Sequence, residues 1–322
     1  PSGAEVRLNT VTAGEQREVA VTALSGGGFV AVWSTGEPGY SLQVVGRRFA
    51  DDGTPLGGEF PLDSGFTGYQ SKPTIVARSD GGFPVGWGST AYGLTHLAAR
   101  SFAAAGAPLG SAFQVDASAP PPEWGPYAVA VAARSGGGFA ALWQSDPLDG
   151  LGPRTIVRVF GADGSPLSAE RAIGNRDHGA QSAPQNTPLV SGGYVATWKA
   201  EGSPDSGAGA GIYAQRLDAS GSASGAVLRV SAESVDPYDD PYGEPVVAGL
   251  SGGGFVVCWL GAATDYVAVR ARRFAADGTP IGAQLLVNTV TDGQQWTPAV
   301  TALADGGFVI AWRSDGVDSP LW

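Results

Sequence analysis

Gly26-Gly27-Gly28-Phe29-Val30-Ala31-Val32-Trp33 is the stretch from which the fold can be read, because its pattern returns five more times in the 322-residue chain. The tryptophan recurs at Trp33, Trp87, Trp143, Trp198, Trp259 and Trp312, at spacings of 54, 56, 55, 61 and 53 residues. Four positions before each stands another ring: Phe29, Phe83, Phe139, Tyr194, Phe255 or Phe308. An even offset in a strand of period two puts both rings on one face. The residues between them, as in FVAVW or FVIAW, are apolar on both faces, which marks a buried strand.

Working outward, an alternating run precedes this strand (REVAVTAL, PTIVARS, PVVAGLS, PAVTAL), joined to it by a Ser/Asp-Gly-Gly turn. That reads as a tight hairpin with glycine supplying positive φ. A third strand follows and ends in Phe49, Phe102, Phe160, Leu217 or Phe274, and four residues later a glycine recurs at Gly53, Gly106, Gly164, Gly221 and Gly278. The signature F-A-x-x-G-x-P-L-G closes a second hairpin into a fourth strand, as in GEFPLDS and SAFQVDA. Six units of four strands, A to D, predict an all-β chain: a six-bladed β-propeller of four-stranded antiparallel blades, one domain over residues 1–322.

The chain ends support closure. Residues Pro1 to Thr10 align with Pro280 to Thr289, so the chain begins ahead of a D strand and stops soon after a B strand. If Asp315-Gly316 turns, the tail to Trp322 supplies a short C strand. The termini are then expected to meet in the closing blade.

Composition agrees. Fifty Gly and 23 Pro work against long helices, and 43% apolar residues with 9 Trp, 9 Tyr and 12 Phe are too many for a disordered chain. Nineteen basic against thirty acidic residues leave a net charge of −11, the wrong sign for nucleic acid or anionic lipid. No apolar run approaches the ~20 residues of a membrane span, so no membrane insertion is expected. Cys258 stands alone, which allows no internal disulfide, and with no Met in the chain Pro1 is not a retained initiator.

The repeat resembles the GGFVVAW-type tandem repeats of large bacterial surface and secreted proteins, often found beside adhesin-like or toxin-like segments. GGF-x-x-x-W, F-A-x-x-G-x-P-L-G and the G-x-Q-x-x-P of Gly68 to Pro73 and Gly293 to Pro298 carry the likeness. It implies an extracellular or cell-surface β-rich recognition or scaffold module and leaves the ligand open.

Loop length shows where function is free to vary. From the column Gln16, Gln70, Pro126, Gln181, Tyr242 and Gln295 to the next core Trp is 17 residues in every unit, whereas the B-to-C connection runs from 15 to 19 residues between its marker residues. The D-to-A loops also vary, around 120–124 and 235–240. In a meander these two loop sets share one face. Aromatics that the core columns do not explain cluster there: Tyr40, Tyr69, Tyr92, Trp124, Tyr127, Tyr238, Tyr242, Tyr266 and Trp296. Rings beside Asp, Asn and Gln suit sugar, stacking on the pyranose face while amides and carboxylates take hydroxyls; rings in such loops also plug gaps between blades.

The core Trp and Phe columns themselves are packing, since every unit repeats them. Arg47, Arg100, Arg158 and Arg272 recur two residues before the third-strand aromatic and are expected to tie strands through carboxylates or carbonyls. The Gln column either caps a neighbouring blade's backbone, the favoured reading, or lines repeated pockets. Catalytic provision is thin. His96 and His178 have no metal-ligand spacing, and Asp177, His178 and Ser182 hold triad residue types without assured geometry. Glu123, Asp236, Asp239, Asp240 and Glu244 could pair for glycoside cleavage, but their separation is not legible. Val235-Asp-Pro-Tyr-Asp-Asp-Pro-Tyr242 has the oxygens for Ca²⁺ without the spaced D-x-D-x-D-G of a calcium loop, so it reads as a solvated acidic loop and no cofactor is expected. The function that follows is non-catalytic recognition or scaffolding, with a glycan or a surface protein as partner. The alternatives are a polysaccharide-cleaving enzyme and a protein-binding subunit of a larger surface assembly.

Overall fold

The computed structural model describes residues 5–37, 41–63, 65, 68–91, 94–117, 129–146, 152–175, 179–203, 208–233, 244–263, 267–291 and 293–315. Among these the chain is all β, without a helix long and apolar enough to cross a membrane. The first sheet is β1 (Glu15–Ala23), β2 (Phe29–Glu37), β3 (Ser41–Phe49) and β4 (Phe60–Pro61). The second is β5 (Tyr69–Ile75), β6 (Phe83–Ala91), β7 (Leu94–Phe102) and β8 (Phe113–Gln114), and the third β9 (Val129–Ala133), β10 (Phe139–Ser145), β11 (Arg154–Phe160) and β12 (Arg171–Ala172). The fourth is β13 (Gln181–Pro188), β14 (Tyr194–Ser203), β15 (Ala208–Leu217) and β16 (Leu228–Arg229), and the fifth β17 (Val246–Gly249), β18 (Phe255–Ala262), β19 (Val267–Phe274) and β20 (Pro280–Leu286). All five are meanders in sequence order, as the repeat requires. A sixth sheet has two described strands, β21 (Gln295–Ala302) and β22 (Phe308–Ser314).

The hairpins form for the reason the glycines suggest. Leu24 N bonds Gly28 O at 2.9 Å around the first A-to-B turn, with Gly28 at φ +74°. A Cβ at Gly28 would run into the Phe49 carbonyl oxygen, and Gly138, Gly193 and Gly254 face the carbonyls of Phe160, Leu217 and Phe274 in the same way. The third glycine of the motif is therefore needed for close approach of the third strand as well as for the turn.

The G-x-Q-x-x-P motif is a β-bulge. Register slips between Arg17 and Ala20, Ser71 and Thr74, Ser182 and Gln185, and Trp296 and Ala299, so two A-strand residues oppose one core Trp each time. The first bulged residue has positive φ: Glu18 58°, Lys72 51°, Ala183 49° and Thr297 44°. The second is Pro73, Pro184 or Pro298 in three of the four, where a residue without an N–H leaves no ladder donor unpaired. The bulge hides the strand's start from a period-two reading, and β5 and β21 begin three to four residues before the alternating runs.

The chain divides into two compact units, Pro1–Ser145 with Arg158–Glu170, and Asp146–Val157 with Arg171–Trp322. Within the first, Val30, Val32, Val44 and Leu62 of the first sheet meet Phe83, Val85, Trp87 and Phe102 of the second. Within the second, Val195, Ile212 and Val230 of the fourth sheet meet Phe255, Trp259 and Phe274 of the fifth, whose far side, with Val256 and Cys258, covers Val300, Phe308 and Ile310 of the sixth. The second, fifth and sixth sheets thus each pack on the aliphatic face of the sheet before them. A ring burying 150–250 Å² contributes roughly 4–6 kcal/mol at about 25 cal/mol per Å², before chain entropy is set against it.

Cross-strand rings stack at the turn end of four sheets: Phe29 on Phe49 at 4.8 Å, Phe83 on Phe102 at 5.3 Å, Phe139 on Phe160 at 5.1 Å and Phe255 on Phe274 at 4.8 Å. The Arg column lies over them, with Arg47, Arg100, Arg158 and Arg272 at 5.3–5.7 Å from the third-strand rings. These guanidinia tie sheets through carbonyls, as expected: Arg100 donates to Leu62 O at 3.5 Å, Arg158 to Val115 O at 2.9 Å and Arg272 to Val230 O at 3.1 Å. Arg47 donates to Leu8 O at 3.1 Å, so Leu8 stands to the first sheet as the end of an outer strand stands to the next.

One expectation needs amending: Trp87, Trp143, Trp198 and Trp259 are fully buried, but Trp312 is only half-buried. Closure of the termini falls on Pro1 and Trp322, which lie outside the described residues.

Candidate functional site

At the loop end of each sheet, one row of side chains runs across the strands on the face that carries the core Trp. In the first sheet Gln16, Thr35 and Gln43 lie opposite one another in register, with Asp63 next in line. In the second the row is Gln70, Ser89, His96 and Asp116. The bulge aims the Gln at the indole: Trp33 Nε1 donates to Gln16 Oε1 at 2.9 Å and Trp312 Nε1 to Gln295 Oε1 at 2.8 Å. The Gln column caps the tryptophan of its own sheet there, not a neighbour's backbone, because two residues opposite one Trp bring the amide within reach.

The outer end of the row has a structural task. The side chain following the D strand accepts the backbone N–H of the residue just after the strand-C row position: Asp116 from Leu97 at 2.7 Å, Ser231 from Ile212 at 3.2 Å and Asn288 from Val269 at 2.9 Å. In the third sheet Gly174 has no side chain, and Gln181 crosses from β13 to take Thr155 N at 2.9 Å. A Cβ on Gly174 would overlap the Gln181 amide at 2.5 Å and Trp198 at 2.9 Å. Here the expected cap on a neighbouring sheet's backbone does occur, and Trp198 Nε1 is left without a hydrogen-bond partner among the described residues.

The second sheet carries the polar row furthest. Gln70 Nε2 donates to Ser89 Oγ at 3.1 Å, and both are buried. Asp116, 4% exposed, meets His96 Nδ1 at 3.1 Å and Gln114 Nε2 at 3.3 Å through Oδ2. Sequence reading passed over this pair. Its only signal was His96, which stands where other units hold Gln43, Arg154, Gly211 and Ala268, whereas Asp116 matches Asp63 of the first unit. Asp63, in the corresponding place in the first sheet, receives neither an imidazole nor a strand amide among the described residues. Burial pushes its carboxyl up to about 6, opposed by its own backbone N–H and the Arg100 guanidinium.

Of the proposed ligand-binding aromatics, Tyr69 and Trp296 are described, and neither is in a loop. Tyr69 opens β5 with the Arg17 guanidinium 5.4 Å from its ring centre, and Trp296 is the second residue of β21, with Nε1 donating to Asp315 Oδ2 at 2.7 Å. The bulged strand reaches further than alternation implied and takes both rings into its first residues. Tyr40, Tyr92, Trp124, Tyr127, Tyr238, Tyr242 and Tyr266 lie outside the described residues, as do Glu123, Asp177, His178, Asp236, Asp239 and Asp240. Ser182 is on β13 and Glu244 is half-buried. Among the described residues no group of three or more His, Cys, Asp or Glu could hold a metal ion. Cys258 is buried, its thiol pushed up to about 12 by desolvation, so it is no nucleophile.

Two clefts open beside these rows. One of about 570 Å³ is floored by Trp33, Leu8 and Val19 and rimmed by Asn9, Gln16 and Glu18. The other, about 340 Å³, lies against Arg154, Gly174 and Gln181. A third, about 800 Å³, is at the turn end of the first two sheets, walled by repeated turn residues with Arg48 and Asp80.

No protein-family model matches the chain, and no curated protein matches its sequence. Solved structures match its fold. A protein of unknown function from Dyadobacter fermentans superposes with a TM-score of 0.61 at 11% identity, covering 98% of this chain and 94% of that one. An α-L-arabinofuranosidase from Fusarium graminearum gives 0.56 at 12%, over 97% and 92%. An ulvan-cleaving polysaccharide lyase, solved with a GlcA–Rha3S oligosaccharide, gives 0.56 at 8%, over 92% and 79%. The two enzymes have β-propeller folds. At these identities the likeness is one of fold.

Proposed function

We propose that this chain is a carbohydrate-active, six-bladed β-propeller, one domain over residues 1–322, that engages a polysaccharide across the face carrying its variable loops. The observation that carries the reading is the row at the loop ends of the sheets, where amides, hydroxyls, an imidazole and carboxylates replace apolar side chains beside half-buried Tyr69 and Trp296. Such a surface offers what a neutral polyhydroxyl ligand needs: donors and acceptors at fixed spacing, with rings for the apolar sugar faces. Six blades are supported by the six-fold repeat, and closure by Asn9 and Asn288. Their side-chain amides bond Val11 O at 2.7 Å and Val290 O at 2.8 Å, the same local geometry at aligned positions. An extracellular or cell-surface location fits a polysaccharide ligand, and no cofactor enters the reading.

Cleavage of the polymer is the second reading. The named activities of the arabinofuranosidase and the lyase favour it, as does a proton-handling pair in the second sheet's row, His96 with Asp116. A glycan array followed by product analysis on the bound polymers separates the outcomes. Binding with release of oligosaccharides establishes cleavage, and binding alone establishes a lectin-like module. Absence of both overturns the proposal and leaves a protein-binding role in a surface assembly.

A further inference from the structure

Four sheets show how little the fold requires at the outer end of the row. The strand-C amide is satisfied by a serine facing Gly211 in the fourth sheet, by an asparagine facing Ala268 in the fifth, and by a borrowed glutamine in the third. The second sheet meets the same need with one oxygen of Asp116 and then adds what folding does not call for, a second carboxylate oxygen with His96 Nδ1 on it. Burying a carboxylate costs free energy unless it is well bonded, and an Asn would have served Leu97 N equally well.

Two groups meet His96 Nδ1: Asp116 Oδ2 at 3.1 Å and Gln114 Nε2 at 3.0 Å, the latter also within 3.3 Å of the same carboxylate oxygen. A carboxylate oxygen that accepts from both nitrogens puts the ring hydrogen on Nδ1, and the ring then carries its lone pair on Nε2. Nε2 has no partner among the described residues and is not enclosed. The side chain is 28% exposed while the Asp116 carboxylate behind it is 4% exposed, so the ring is anchored on its inner side and open on its outer one.

We infer that His96 is a ligand-anchoring residue of the carbohydrate site, its Nε2 accepting a hydrogen bond from a sugar hydroxyl, with Asp116 as the positioning residue that holds the accepting tautomer. The inference rests on the carbohydrate reading above and specifies the atom through which it acts. A sugar hydroxyl carries the hydrogen that such a ring acceptor takes. An anionic group would meet a lone pair on a chain of net charge −11, and a metal ion would find one imidazole and a carboxylate already engaged.

The test uses the ¹⁵N-labelled full chain at pH 7.5, with a neutral arabino-oligosaccharide and an acidic glucuronate–rhamnose oligosaccharide as probes. In the free protein, two-bond ¹⁵N–¹H spectra should show His96 protonated on Nδ1. Asp116→Asn should keep the Leu97 bond, as Asn288 does for Val269, yet lose that tautomer preference with little change in melting temperature. Addition of the neutral probe should move the His96 Nε2 resonance, and His96→Phe should weaken its binding about ten-fold, the worth of one hydrogen bond. A proton on Nε2 in the free protein overturns the inference, as does binding that leaves the His96 nitrogens unmoved and is unchanged in His96→Phe; the carbohydrate reading survives either result. Failure of the wild-type chain to bind any glycan on the array removes both.

Discussion

The second and fifth sheets are the same unit written twice, and they differ in one line. Both stack a second-strand Phe on a third-strand Phe, Phe83 on Phe102 and Phe255 on Phe274, under an Arg, and both bury the core Trp completely. At the loop end, however, the row of Ser89, His96 and Asp116 in one becomes Gly261, Ala268 and Asn288 in the other. What the two share is packing: each buries its aromatic face on the aliphatic face of the sheet before it. What they do not share is free to serve a ligand, and it is the departure from the repeat that points to the site.

The largest effects should fall where the sheets agree. Trp87→Ala and Trp259→Ala each remove a fully buried indole and should cost about 3–5 kcal/mol, read as loss of denaturation midpoint. A large difference between the two would show that the units are not equivalent in their cores. Next come the row ends. Asp116→Ala strips an acceptor from Leu97 N, His96 and Gln114 together and should cost about 2–3 kcal/mol, whereas Asn288→Ala strips only Val269 N and Val290 O and should cost about 1–2. Equal costs would reduce the second sheet's row to scaffolding.

A smaller effect separates the first sheet from the second by pH. Asp63 is raised from its ordinary 3.8 to about 6, so the folded chain holds that proton more tightly than the unfolded one. Its stabilising contribution is full below about pH 4 and is lost as pH rises through about 6. Asp63→Asn should flatten this fall and add about 1 kcal/mol at pH 7 after allowance for solvent screening, measured by urea titrations at pH 4 and 7. An unchanged pH profile would place the carboxyl in water. The smallest effect is expected at the half-buried rings: Tyr69→Ala and Trp296→Ala should each cost less than about 1 kcal/mol in thermal melts. Losses as large as that of Trp87→Ala would make these rings packing and withdraw them from the candidate surface.

Much of this was legible from the chain alone because it depends on local chemistry. Strand B reads from the three mostly apolar residues between two rings, the turns from glycines that need positive φ, and the Arg tie from its fixed offset to the third-strand ring. The start of strand A was not legible. The bulge at Glu18, Lys72, Ala183 and Thr297 inserts a residue that breaks the alternation, and so Tyr69 and Trp296 read as loop residues. Nor was the His96 and Asp116 pair, twenty residues apart and part of no repeated motif.

The sequence by itself determined an all-β chain of repeated four-stranded meanders with its core columns, since periodicity and turn chemistry act over a few residues and are written into each unit. Tertiary structure decided which side chains meet across strands. Gln16 reaches Trp33 in its own sheet, while Gln181, answering the missing side chain of Gly174, leaves Trp198 and crosses to Thr155. Those choices depend on register and on what the adjoining strand lacks, and neither is a property of any single stretch of chain.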